Sequence, residues 1–176
     1  MKKFLVISSF LLAGIYSFAN EVTGYVGFEG RGFFNNPIGE NQKKHSLSTS
    51  FNLEYYHDFE DDNENIVATA YARKDSSEDG RDHFDIRELY WWKGFENFEL
   101  YIGARKVFWG VTETSHLVDV INSSDTVENL DGEDKLGQPM ISLLYEQDWG
   151  TIELFTLTGF REPTYLGSKD RLRSSL

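Results

Sequence analysis

Apolar and polar residues alternate with period two along most of this chain. In 22–34, VTGYVGFEGRGFF, one set is Val22, Gly24, Val26, Phe28, Gly30, Gly32 and Phe34, all apolar or small. The interleaved set, Thr23, Tyr25, Gly27, Glu29, Arg31 and Phe33, holds every charge. Successive side chains of a strand point to opposite faces, so this spacing predicts a strand with one apolar and one polar face. Residues 44–59 repeat the pattern. His45, Leu47, Thr49, Phe51, Leu53, Tyr55, His57 and Phe59 share one face, and Ser46, Ser48, Ser50, Asn52, Glu54, Tyr56 and Asp58 the other. Further strands are predicted at 66–75, 83–93, 98–109, 140–147 and 151–161. In 98–109, Phe98, Leu100, Ile102, Ala104 and Phe108 oppose Glu99, Tyr101, Gly103 and Arg105. In 151–161 the split is weaker, because Phe155 and Leu157 fall among the polar positions.

The 83–93 stretch breaks the rule. Phe84, Ile86, Tyr90 and Trp92 share a face, but so does Glu88. Either a β-bulge near Arg87 shifts the phase, or Glu88 lies where its face is away from lipid. Both readings stay open on the sequence.

Strand length narrows the class. Strands of soluble domains usually run about 5 or 6 residues, whereas strands crossing a bilayer need about 9 to 11. The connections alternate too: 35–43, 76–82 and 110–139 on one side, and 60–65, 94–97 and 148–150 on the other. Aromatic residues, among them Phe33, Phe34, Tyr55, Tyr56, Tyr90, Trp91, Trp92, Phe95, Phe108, Trp109, Trp149 and Phe160, gather near predicted strand ends. Short turns at one end, longer loops at the other and aromatic girdles belong to outer-membrane barrels. The expected fold is therefore all-β: an antiparallel meander of about seven strands forming part of a transmembrane β-barrel. Such barrels have an even strand count, and the chain closes on the polar stretch YLGSKDRLRSSL, so we expect the N-terminal part of a larger barrel.

The first residues agree with export. Lys2 and Lys3 precede the apolar run FLVISSFLLAGI, and Ser17 and Ala19 supply small residues before a cleavage point. This spells a signal peptide over 1–19, with 20–176 as the barrel segment. The run is too short to span a bilayer as a helix, which takes about 20 apolar residues. The net charge of −12 speaks against a nucleic-acid partner, because phosphate binding needs a basic face. The absence of cysteine excludes disulfides, thiolate catalysis and Cys-based zinc sites. Expected partners are outer-membrane lipid and small hydrophilic solutes, with a homo-oligomer of the full-length protein open.

The string GARKVFWGVTETSHLVDVINSSDTVENLDGEDKLGQP, with Arg105 and Trp109-Gly110 forming an R-x-x-x-W-G segment, resembles porin-like outer-membrane barrels related to alginate-export porins. The resemblance implies that 110–139 is a third extracellular loop that folds inward and narrows a pore. The resemblance gives architecture more than chemistry; the expected function is a passive channel for small hydrophilic solutes, and the fixed guanidinium groups of the inner face suit anionic ones. The predicted inner face carries Arg31, Arg73, Arg87, Arg105 and Arg161, with Glu29, Glu54 and Glu99. Asp131, Glu133 and Asp134 are the expected acidic side of the constriction. Opposed charges across a narrowing create a transverse field that selects by charge and size. A helix over 115–122 is expected to pack that loop on the wall, with Ser115 as its cap. The alternative is an exported surface β-protein, or an adhesin-like barrel that binds glycans through its loops without transport.

Other chemistry is weaker. Placing Gly132 at the invariant glycine of an EF-hand loop puts Val127 and Gln138 where acidic ligands belong, so that site fails. A looser carboxylate site from Asp131, Glu133 and Asp134 stays open as the lesser alternative; the expectation is no metal and no cofactor. For hydrolysis, His116 beside Ser115, with Asp119 or Asp125, is the first candidate group. Triad partners meet in space rather than in sequence, and no enzyme is expected.

Overall fold

The computed structural model describes residues 4–17, 20–60, 63–77, 79–108, 120–128, 134–167 and 169–171. They form one open antiparallel sheet of eight strands in chain order. These are β1 (Phe4–Ser17), β2 (Asn20–Phe33), β3 (His45–Asp58), β4 (Glu64–Asp75), β5 (His83–Gly94), β6 (Phe98–Arg105), β7 (Gln138–Gln147) and β8 (Gly150–Leu157). Each strand pairs with its sequence neighbours, so the topology is an up-and-down meander. Strands β2 to β8 are the seven read from the alternation. The segment read as a leader forms β1, in register with β2 from Phe4↔Phe33 to Ser17↔Asn20. It lies at the sheet edge, so its removal would break one ladder and leave β2–β8 paired. Among the described residues there is no α-helix, only a 3-10 turn at Asp79–Arg81.

The sheet is inverted relative to a soluble one. Along β3, Ser46, Ser48, Ser50 and Asn52 are buried, while Leu47, Phe51 and Leu53 are exposed. The cross-strand register extends this division. Phe51 stands opposite Val26 and Ala72 on the outward face, and Asn52 opposite Tyr25 and Tyr71 on the inward face. Farther along, Ile102 and Ile141 are exposed as an outward pair, while Ser142, opposite Tyr101, is fully buried. On β8, Ile152 and Leu154 point out.

The irregularity in 83–93 is a β-bulge at Arg87. Thr69 pairs with Glu88 and Ala70 with Ile86, so Arg87 has no partner on β4. The extra residue moves the outward set from Phe84 and Ile86 to Leu89 and Trp91. Glu88 turns inward with Tyr90 and Trp92. Of the two readings open on the sequence, the bulge near Arg87 is the one observed, and it separates Phe84 and Ile86 from Tyr90 and Trp92.

Two strands end earlier than the alternation predicts. β6 stops at Arg105, because the next backbone N–H groups find side chains: Lys106 N–H donates to Glu88 (3.0 Å) and Val107 N–H to Asn122 (2.8 Å). β8 stops at Leu157. Thr158 N–H donates to the Pro139 carbonyl (3.0 Å), but proline has no N–H to return, and the ladder ends there. The connections 34–44, 76–82 and 106–137 lie at one end of the sheet, and the short turns 59–63, 95–97 and 148–149 at the other.

Candidate functional site

All the inward arginines singled out in the sequence fall at the long-loop end, because that end of the sheet gathers the ends of β2, β4 and β6 and the start of β5. Arg31 pairs with Glu29 on its own strand at 2.5 Å. Arg73 on β4 reaches Glu29 at 3.6 Å and Glu128 at 2.6 Å. Arg87, thrown inward by the bulge, holds Asp125 at 2.7 Å and lies 3.4 Å from Asp85. Its guanidinium also stacks over the Tyr71 ring, 4.7 Å from the centroid. Arg161, just past β8, binds Asp85 at 2.6 Å and donates to the backbone carbonyls of Ile86 and Gly137. Arg105 donates to Ser142 at 2.8 Å, lies 3.4 Å from Glu153 and covers the Tyr101 ring at 3.8 Å.

The described parts of the long connection lie against this wall. These parts, 120–128 and 134–137, form a short antiparallel rung: Asp125 N–H donates to Asp134 O, and Leu136 N–H to Ser123 O. Val127 and Leu136 are buried apolar anchors. Asn122 clamps the base, accepting from Val107 N–H and donating to Arg105 O (3.0 Å) and Leu136 O (2.9 Å). Glu128 then takes hydrogen bonds from Tyr71 (2.7 Å) and Arg73, and Asp125 one from Thr164.

The segment after β8 runs back across the same end. Thr164 bridges to Asp125. Asp170 accepts from Gln42 at 3.2 Å, and Arg171 reaches the carbonyls of Asn35 and Asn36 and stacks on Phe33. A cavity of about 360 Å³ lies between this segment, the loop and the start of β5, bordered by His83, Asp85, Asp125, Leu136, Arg161, Thr164 and Tyr165.

Of the expected carboxylates, Glu29 meets Arg31, Arg73 and Arg81. Asp131, Glu133, His116, Asp119 and most of the 115–122 helix lie outside the described residues. Val120 to Asn122 are not helical. Asp134 is half-buried, and its carbonyl closes the rung. From the described part of the loop, Asp125 and Glu128 pair with Arg87 and Arg73. Glu54 accepts from Asn52 at 2.8 Å, away from the arginine end. Glu99 accepts from Trp92 (3.0 Å) and Tyr101 (2.7 Å) near the short-turn end. Sequence reasoning also missed Arg81, which is buried and holds Glu29 and Asp75 at 3.2 Å each. It sits in a polar connection with no periodicity to mark it.

Charge here is balanced locally. Arg31, Arg73, Arg81, Arg87, Arg105 and Arg161 face Glu29, Asp75, Asp85, Asp125, Glu128 and Glu153. Burial pushes the Asp125 carboxyl up, but the Thr164 hydrogen bond and the Arg87 guanidinium outweigh it and hold the group below the usual aspartate value. Among the described residues no group of histidines and carboxylates is arranged to hold a metal ion, and no helix is long and apolar enough to cross a membrane. Comparison with protein-family models, with curated proteins and with solved structures finds no match to this chain.

Proposed function

We propose that this chain forms part of the wall of an outer-membrane β-barrel, and that its inturned loop narrows a passage for small hydrophilic solutes. One observation carries the reading: the apolar face of the sheet is exposed, and the polar face is covered toward the long-loop end. Leu47 is 69 % exposed and Leu154 61 %, while Ser142 is fully buried. In water such a continuous apolar face marks a surface that something else covers. For a strand-built sheet with girdling aromatics, a lipid bilayer is the fitting cover. Trp91 supports it, since its indole N–H reaches Glu64 at 2.8 Å near the short-turn end, where an amphipathic ring suits the membrane interface.

The pairing of arginines with protein carboxylates bears on the solute. Among the described residues the inward arginines each face a carboxylate, so selection rests on size and on the transverse field more than on an excess of cations. Arg105 is the better probe of that field, because Arg87 is also what seats the loop. Charge reversal by Arg105→Glu in the full-length protein should shift the zero-current potential of planar bilayers toward cation selectivity. An unchanged potential rejects the constriction.

We read 1–19 as a signal peptide, so that β2 becomes an edge in the mature protein. β2 and β8 run in the same direction, and an antiparallel barrel closes between them only through an odd number of further strands. Mass spectrometry of membrane-extracted protein should find Asn20 at the N-terminus; an intact Met1 or Lys2 terminus makes 4–17 a true strand.

A second reading is a surface barrel that binds glycans through its loops without transport. It is favoured by the way the loop and the segment after β8 cross the same end. Absence of conductance together with glycan capture by the intact protein would select it.

A further inference from the structure

His83 opens β5 directly under the inturned loop. Its Nδ1 lies 3.0 Å from the backbone carbonyl of Arg81. A carbonyl oxygen only accepts, so Nδ1 carries the hydrogen, and the neutral ring is left with a bare lone pair at Nε2. Nε2 faces Glu128 Oε1 at 3.3 Å, and a carboxylate oxygen also only accepts. Nε2 is buried and has no hydrogen-bond partner among the described residues. The neutral ring thus sets two acceptors against each other at the point where the loop meets the wall. The imidazolium turns the same contact into a charge-assisted hydrogen bond.

The surroundings leave Glu128 as the group that responds. From β4, Tyr71 packs against the imidazole with ring centroids 5.6 Å apart, and both Tyr71 and Arg73 donate to Glu128. From the loop, Asp125 acts on the ring at longer range and is itself held by Arg87. Within β5, Asp85 is occupied by Arg161 and lies beside Arg87. Just before β5, Asp82 pairs with Lys74, and the Arg81 guanidinium is turned to Glu29 and Asp75.

We propose that His83 is a proton-operated clamp, whose protonated ring fastens the 120–128 part of the loop to the β4–β5 wall through Glu128. The loop is therefore held tighter when the ring carries its second proton than when it is neutral. The clamp stands on local geometry; its effect on solute flux rests on the passage proposed above.

The test is amide hydrogen exchange of 120–128 in the full chain in detergent, from pH 8 to pH 5, corrected for the intrinsic pH dependence of exchange. Protection should rise about tenfold toward pH 5, the scale of one hydrogen bond to a charged group. His83→Phe should flatten the response. Glu128→Gln should flatten or reverse it, because the amide can donate to the neutral ring's lone pair. A flat wild-type profile, or an acid rise kept in Glu128→Gln, overturns the clamp, and the second variant serves even if His83→Phe does not fold. Bilayer currents recorded over the same pH range separate the two ideas. Currents that fall as protection rises support both. Protection that responds while currents stay constant or never appear supports the clamp and overturns the constriction.

Discussion

Asn122 is the residue on which the seating of the loop turns. Its one side chain satisfies Val107 N–H and the carbonyls of Arg105 and Leu136, and it is itself buried. Asn122→Ala leaves those three backbone groups without their partner where β6 ends and the loop returns. A buried polar group stripped of its partner costs about 1–3 kcal/mol. The expected loss is therefore about 3 kcal/mol of loop docking or of whole-protein stability, measurable by urea titration in micelles. Asp125 gives a complementary pH prediction. Its folded value lies below the ordinary 3.8, with the Thr164 bond and Arg87 outweighing burial. A depressed carboxyl contributes stability that is present above the unfolded value and lost as pH falls through the folded one. Loop protection should therefore collapse below about pH 4. Asp125→Asn should lower protection at neutral pH and weaken that acid limb. Neither residue stood out in the sequence. Asp125 was noted only as a partner for His116, while the denser run of Asp131, Glu133 and Asp134 drew the constriction reading. Isolated carboxylates in a long loop carry no periodic signal. The one usable clue was Val127, an apolar residue set between Asp125 and Glu128, which the structure uses as a buried anchor.

At the scale of elements, the seven strands after residue 20 were legible because period two holds along most of them and the breaks between them fall at polar or glycine-bearing turns. The phase of β5 was legible only as a choice between two readings, since a bulge adds one residue without changing composition. Glu88 was the visible symptom and Arg87 the cause. The ends of β6 and β8 were also out of reach. They are decided by Asn122, Glu88 and Pro139, residues distant in the chain that take or deny the next ladder bond. The bulge has a second consequence at Gly137, in the LDGEDKLGQP stretch that leads into β7. A Cβ at Gly137 would lie 2.0 Å from the Arg87 carbonyl oxygen, so the loop exit rests on the bulge through bare backbone. Gly137→Ala must push the two apart. The expected cost is about 1–3 kcal/mol, the usual range for overpacking, with exchange rising first at Ser123 to Asp125 and 134–136. Unchanged exchange there would mean that the exit is not seated on β5.

At the scale of the whole molecule, the question is what covers the outward face. Two solvents give opposite energies for one substitution, and Phe51 is the place to ask. It sits midway along β3, is 47 % exposed, and is flanked by Val26 and Ala72 on the outward side. If the face meets water, Phe51→Arg replaces an exposed ring by a side chain that can reach solvent, and surface changes of that kind stay within about ±0.5 kcal/mol. If the face meets hydrocarbon near the bilayer midplane, the guanidinium costs about 2–4 kcal/mol, falling to about 0–1 near the interfaces. Leu47→Arg, toward the long-loop end of the same strand, then serves as the internal control. A lipid-covered face predicts a large loss at 51 and a small one at 47, measured by reversible unfolding in phospholipid vesicles. A water-covered face predicts no difference between them. The depth gradient discriminates better than either value alone, since a general loss of strand propensity would act on both positions alike. A large loss at both positions would point instead to burial of this face against protein.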